Sequence, residues 1–169
     1  MPDATGLELI AQELRDADAD GVLDTVFFRD QAALLVAPAA VPATLEHLRG
    51  KGFRFLASVH GVDYFPEEPR LGVHYELIDM AKVDRICVRT RVPVDAPTVP
   101  SVTAEWPTAN HQEREVYDMF GVIFEGHPDL RRILMPEDYE GYPQRRDFPM
   151  GGEPVIYTFN EPKLPRWYD

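Results

Sequence analysis

The chain has 169 residues, 44% of them hydrophobic and 27% charged, which suits one globular domain with a real core and excludes a disordered chain. A formal net charge of -12 argues against nucleic acid as a partner, because phosphate binding needs a concentrated cationic face. A single cysteine, Cys87, excludes an internal disulfide and the four-thiolate ligation usual for iron–sulfur clusters, and no stretch is apolar for long enough to span a bilayer.

The first thirty residues are acidic, where a secretion signal would be basic. Thr5-Gly6-Leu7-Glu8 has the form of a capping box, and Leu7, Ile10 and Leu14 follow at helical spacing, so a helix is predicted over 5–17. Asp16, Asp18, Asp20 and Gly21 open like a calcium loop, but Phe27 stands where the bidentate glutamate must be, and the reading fails. Two apolar runs, 22–29 and 32–37, predict a hairpin. Pro42 starts a helix whose buried face is Val41, Leu45 and Leu48 and whose end is Gly50. Strands are predicted over 54–64, 72–80 and 85–92. In the last, Ile86 and Val88 alternate with Arg85, Cys87, Arg89 and Arg91, so one face is buried and the other polar. The order α-β-β-α-β-β-β gives an α+β fold, a mainly antiparallel sheet covered by helices.

A proline-rich linker over 93–100 and a short helical turn over 102–106 lead to a longer helix over 109–120, with Gly121 just beyond its end. The prolines after His127 resist helix and central strand. The chain thus divides into an α+β domain, 1–124, and an extended proline-rich C-terminal segment, 125–169, suited to wrapping a partner. On helix 109–120, Val116, Met119 and Phe120 face the sheet. Glu113 borders that stripe as a partly buried carboxylate with Arg131 or Arg132 as its expected partner, while Arg114 and Asp118 point away as an ion pair one turn apart. His111, Glu115 and Asp118 share a face and could hold a divalent metal in a stand-alone hydrolase, but the Arg114 charge would compete with a cation. With no G-x-S-x-G and no P-loop, no catalytic, cofactor-binding or metal residue is assigned. Arg131-Arg132 and Arg145-Arg146 admit three readings: phosphate or acidic lipid, this chain's own acids, or a partner's carboxylates. Arginine's fork suits the last, and it is assigned to Arg145-Arg146.

The run EREVYDMFGVIFEGHPDLRRIL over 113–134, followed by GYPQRRDFP over 141–149, resembles the C-type subunit of bacterial NADH–quinone oxidoreductase, the iron–sulfur-free 30 kDa-type subunit of respiratory complex I. His111 stands where many members have tryptophan, and Gln144 where leucine is usual. The resemblance implies a non-catalytic structural subunit of the peripheral arm, held through the complex on the cytoplasmic side of a bacterial cell membrane. It implies docking on the D-type quinone-site subunit, near the I-type cluster-bearing subunit, and no cofactor in this chain, the complex itself carrying FMN, iron–sulfur clusters and quinone. The implied interface residues are Glu113, Arg114, Glu115, Asp118, His127, Arg131, Arg132, Arg145, Arg146 and Asp147, with Gly121 as a structural element. The equivalent subunit of a membrane-bound hydrogenase or a ferredoxin–quinone reductase is the nearest alternative.

Overall fold

The structure, a computed structural model, describes residues 3–149. The first helix, α1 (Ala4–Ala17), starts earlier than the Thr5 capping box predicts. Asp3 is the N-cap, and its carboxylate accepts the Gly6 amide at 2.7 Å. Leu7, Ala11 and Leu14 form the buried face of α1.

The predicted hairpin is β1 (Val22–Phe28) and β2 (Gln31–Val36). Its two-residue turn has positive φ at both Arg29 (49°) and Asp30 (60°), the combination that matches the twist of the flanking strands. Aspartate tolerates this region, and Arg29 lies over the Phe28 ring. A single 3-10 turn, Pro38–Ala40, leads into α2 (Val41–Gly50), with Pro42 in its first turn as predicted. Then come β3 (Phe55–Asp63), β4 (Leu71–Asp79) and β5 (Asp84–Val92).

The five strands form one sheet in the order β1-β2-β5-β4-β3. Every pair is antiparallel except β2 with β5, where Ala33 lies opposite Cys87 in a parallel register. The sheet is therefore mainly antiparallel, as the sequence predicts. One face buries Leu34, Val36, Leu71, Val73, Tyr75, Leu77, Ile86 and Val88 against the helices. The opposite face carries Val26, Phe28, Ala33, His74, Glu76, Arg85, Cys87 and Arg89, and none of the described helices lies on it.

Two differences from the sequence reading concern the C-terminal half. The linker over 93–100 contains a short strand, β6 (Thr98–Pro100), which pairs in parallel with β7 (Ile123–Glu125). The prolines are accommodated because this ladder is short and uses their carbonyls: Ile123 donates its amide to the Pro97 oxygen at 2.7 Å. Between β6 and β7 lies α3 (Ala109–Phe120), as predicted. It ends where Gly121 turns left-handed (φ 77°) and donates its amide to the Tyr117 carbonyl. A Cβ at Gly121 would also strike the Tyr142 ring at 2.5 Å. The boundary drawn at 124/125 thus falls inside β7, and the segment after it begins as part of the domain. The remainder of that segment, 150–169, lies outside the described residues.

Candidate docking surface

Residues 126–149 contain neither helix nor strand, yet they are tightly held. They fold back over the outer face of α3, the face that helical periodicity alone assigns to solvent. This one rearrangement explains most departures from the predicted pairings.

Asp118 is the centre of it. Its side chain is wholly buried. Oδ1 accepts from Arg132 at 2.7 Å, while Oδ2 accepts three successive backbone amides, those of Ile133, Leu134 and Met135, at 2.7–3.0 Å. Burial pushes the carboxyl pKa up, but those three amides and Arg132 outweigh it and hold the group below its ordinary value. Arg132 completes the clamp by donating to the carbonyls of Asp118, Tyr139 and Gly141, and it lies over the Tyr139 and Tyr142 rings. Asp118 is therefore not paired with Arg114. Arg114 instead donates to the carbonyls of Arg131 and Arg132, reinforcing the same segment.

Glu113 is also wholly buried, but neither expected arginine reaches it. Its carboxylate accepts from the Ser101 hydroxyl at 2.7 Å and the Val102 amide at 2.8 Å, so it fixes the loop that follows β6. Desolvation raises its pKa against those two hydrogen bonds. The helical phase correctly marks Glu113 as the carboxylate bordering the stripe. The partner is wrong because the 101–103 loop, not the arginine segment, lies against that side of α3.

A second anchor joins the end of the segment to the sheet. Arg70, 6% exposed, donates through Nε and Nη2 to Asp63 (2.8 and 2.6 Å) and through Nη1 and Nη2 to Asp147 (2.8 and 2.6 Å). Asp63 also accepts the backbone amide of Arg146, and its pKa is driven well below the ordinary range, first by Arg70. Arg145 donates to the Phe120 carbonyl at 2.7 Å and stacks on Tyr142, and Arg146 donates to the Phe65 carbonyl at 2.8 Å. The guanidinium groups assigned to a partner's carboxylates are thus engaged within this chain. Sequence reasoning missed Arg70 and Asp63 altogether, because Arg70 and Asp147 lie 77 positions apart and no local pattern announces the pairing.

Of the residues expected at an interface, Glu113 and Asp118 are buried pegs and cannot touch a partner. His127 takes part in the fold, its Nε2 lying 3.1 Å from the Asn110 carbonyl. Glu115 and Arg131 are exposed on the outer surface, and so are Ile133 and Leu134, which the sequence did not single out. The metal alternative loses a ligand, since both Asp118 oxygens are taken by Arg132 and the three amides. Among the described residues no three acids, histidines or cysteines gather as a metal site.

Comparison with known proteins agrees with this architecture. Residues 34–154 match the family described as respiratory-chain NADH dehydrogenase, 30 Kd subunit. The chain is 44% identical over 158 residues to the C-type subunit of NADH-quinone oxidoreductase from Roseiflexus sp. (strain RS-1), covering 92% of this chain and 91% of that one. It is 46% identical over 122 residues to NADH-quinone oxidoreductase subunit 5 of Thermus thermophilus, covering 67% of this chain and 59% of the relative. Among solved structures, a trypsin-resistant fragment (1–134) of Nqo5 superposes with TM-score 0.62 at 36% identity, covering 73% of this chain and 98% of the fragment. A chain of the membrane-bound sulfane sulfur reductase, an archaeal respiratory membrane complex, superposes with TM-score 0.71 at 26% identity, covering 96% and 94%. With the signature helix, its refolded segment and these matches in agreement, the chain belongs to the 30 Kd subunit family of respiratory-chain NADH dehydrogenase, which includes the C-type subunits of NADH-quinone oxidoreductase.

Proposed function

We propose that this chain is a non-catalytic structural subunit in the peripheral arm of a proton-translocating NADH–quinone oxidoreductase. It docks on the subunit that helps form the quinone site, with the cluster-bearing I-type subunit nearby. FMN, iron–sulfur clusters and quinone belong to other subunits in this reading. The assembly holds the chain at the cytoplasmic side of the membrane; no described helix is long and apolar enough to cross one. The observation that carries it is the Asp118 socket. Three successive amides are pinned to one buried carboxylate, yet Ile133 and Leu134, at the pinned positions, present their side chains outward, 38% and 61% exposed. The carboxylate holds the segment in place, but keeping the Ile133 and Leu134 side chains out in water brings no benefit to the isolated fold. It does preorganise an anchor for a partner.

The archaeal sulfane sulfur reductase similarity supports a second reading, an equivalent subunit in a related respiratory complex. The NADH–quinone oxidoreductase reading is preferred because its relatives stand at 44% and 46% identity against 26%. Replacing Ile133→Asp and Leu134→Asp together in the host complex tests the proposal. The expected result is loss of the chain from detergent-solubilised complex and loss of NADH–quinone reductase activity. The purified chain should stay folded, losing about 1 kcal/mol at Ile133, most of whose side chain is covered, and about 0.5 kcal/mol or less at Leu134. Normal assembly and activity of the double variant would overturn the docking role.

A further inference from the structure

The bare face of the sheet is not an ordinary solvated face. Strand β5 places Arg85, Arg89 and Arg91 on it at alternate positions, in a chain whose formal net charge is -12. Between Arg85 and Arg89 lies Cys87, 5% exposed, paired across β4 with Glu76 and across β2 with Ala33. A cleft of about 400 Å³ opens here, lined in part by Gln31, Ser58, Glu76, Arg85, Cys87 and Arg89. Its surroundings are apolar and exposed: Val26 and Phe28 on β1 and Phe55 on β3 are 38%, 63% and 49% exposed.

The cations here are differently placed from those on α3's outer face. The arginines of the C-terminal segment spend their donors on this chain's own carbonyls and carboxylates. By contrast, Nε of Arg89 is buried and donates to no acceptor among the described residues. Arg91, like the arginines of the C-terminal segment, is engaged by its own chain, through Nε on the Pro69 carbonyl, Nη1 on Glu67 at 3.5 Å and the Tyr64 ring beneath it, and only its buried Nη2 is without an acceptor among the described residues. A buried guanidinium N–H without an acceptor costs free energy, which Arg89 would recover by turning to meet an incoming carboxylate, while Arg85 already stands exposed at the mouth of the cleft.

We infer that this face is a second docking surface, one that receives an acidic segment of a neighbouring subunit, its aspartate or glutamate side chains meeting Arg85 and Arg89 and its apolar flanks covering Phe28 and Phe55. A carboxylate-bearing segment is favoured over a free phosphate by two features. The backbone amides on these strands are used in the sheet ladder, so no amide nest faces the cleft. The apolar rim needs apolar cover, which inorganic phosphate does not supply. The proposal extends the structural-subunit reading and rests on it, but it uses a surface on the opposite side of the sheet from α3.

A photo-reactive benzoylphenylalanine at Gln31, which is exposed at the cleft, tests it in the assembled complex, alongside the charge-reversed variant carrying both Arg85→Glu and Arg89→Glu. Irradiation is expected to cross-link the chain to another subunit at a segment rich in aspartate or glutamate. The charge reversal should lower that cross-link at least tenfold, while circular dichroism of the purified chain is unchanged. A cross-link to residues 150–169 of the same chain, to a second copy, or to lipid would overturn the proposal. So would an absence of adducts in a complex that retains the chain and its NADH–quinone reductase activity. Failure of the tagged chain to co-purify with that activity at all would instead overturn the underlying subunit reading, a distinguishable result.

Discussion

The sheet with its helices and the refolded segment 126–149 are built on different physics. The sheet is closed by apolar side chains, with Leu71, Val73, Tyr75 and Leu77 all inaccessible along one strand, and its specificity comes from alternation. The segment has no periodic apolar face. It is fixed by a few charged pegs, Asp118 with Arg132 and Arg70 with Asp63 and Asp147, that satisfy backbone groups no helix or strand serves. Apolar burial yields a core that tolerates small errors. Charged pegs yield a shaped surface that depends on single residues.

The largest expected effect comes from breaking the principal peg. Asp118→Ala leaves Arg132 as a buried cation without its carboxylate and orphans the amides of residues 133–135. The expected loss is about 3–5 kcal/mol, the range for removing one partner of a buried pair. Leu77→Ala in the sheet should cost a comparable ~2–5 kcal/mol by leaving a cavity. The two variants separate by locality. Proteolysis of Asp118→Ala under native conditions should cut first within 126–149, whereas Leu77→Ala should open only through global unfolding. If Asp118→Ala keeps that segment protected, the peg is not what holds it.

This contrast also explains what is legible in the sequence. The helices, the hairpin, the three following strands and the α+β class follow from periods of 3.6 and 2, which are local. The phase of α3 identifies Glu113 as the inward carboxylate for the same reason. Its partner is not legible, and neither is the Arg70–Asp147 bridge, because those contacts depend on where an aperiodic segment returns. The short strand β6 is hidden by its prolines, which supply carbonyls to the ladder and need no amide of their own there. Reading Arg145 and Arg146 as partner contacts rests on the premise that a proline-rich segment does not fold alone. Residues 126–149 do pack on their own domain, because α3 offers a buried carboxylate and the Phe120 carbonyl as fixed points.

A smaller effect sharpens the comparison between the sheet's two faces. His74, on the bare face, lies 2.8 Å from the Tyr64 hydroxyl through its Nε2. Its pKa is lowered to about 3, first by burial and then by the charges of Arg89 and His60. An unfolded histidine takes a proton near pH 6.5. The folded chain refuses that proton until about pH 3, so this contribution to stability is full above about pH 6.5 and is lost as pH falls toward 3. By pH 4.5 the loss should reach about 2–3 kcal/mol at 1.36 kcal/mol per unit. Glu113, whose pKa is raised, acts with the opposite sign, but it does so equally in a His74→Gln variant. Urea midpoints at pH 7 and 4.5 should therefore diverge much more for the native chain than for His74→Gln. Equal pH dependence of the two proteins would remove His74 from the account.

The smallest effect tests whether the second anchor shares the strength of the first. Asp147 is half exposed, with 53% of its side chain accessible, whereas Asp63 across the same guanidinium is only 2% accessible. Water screens the outer pair, and Arg70 keeps Asp63 when Asp147 is neutralised. Asp147→Asn should therefore cost about 1 kcal/mol or less. In a chain of this size that is a thermal midpoint shift of roughly 2–4 °C at most. Asp63→Asn removes the buried partner and should cost several times more. The ratio between the two variants, read from thermal melts of the purified chain, measures how far burial rather than charge count sets the strength of a peg. Equal losses would mean that Asp147 is shielded as well as Asp63, and that the end of the segment is as firmly built as the Asp118 socket.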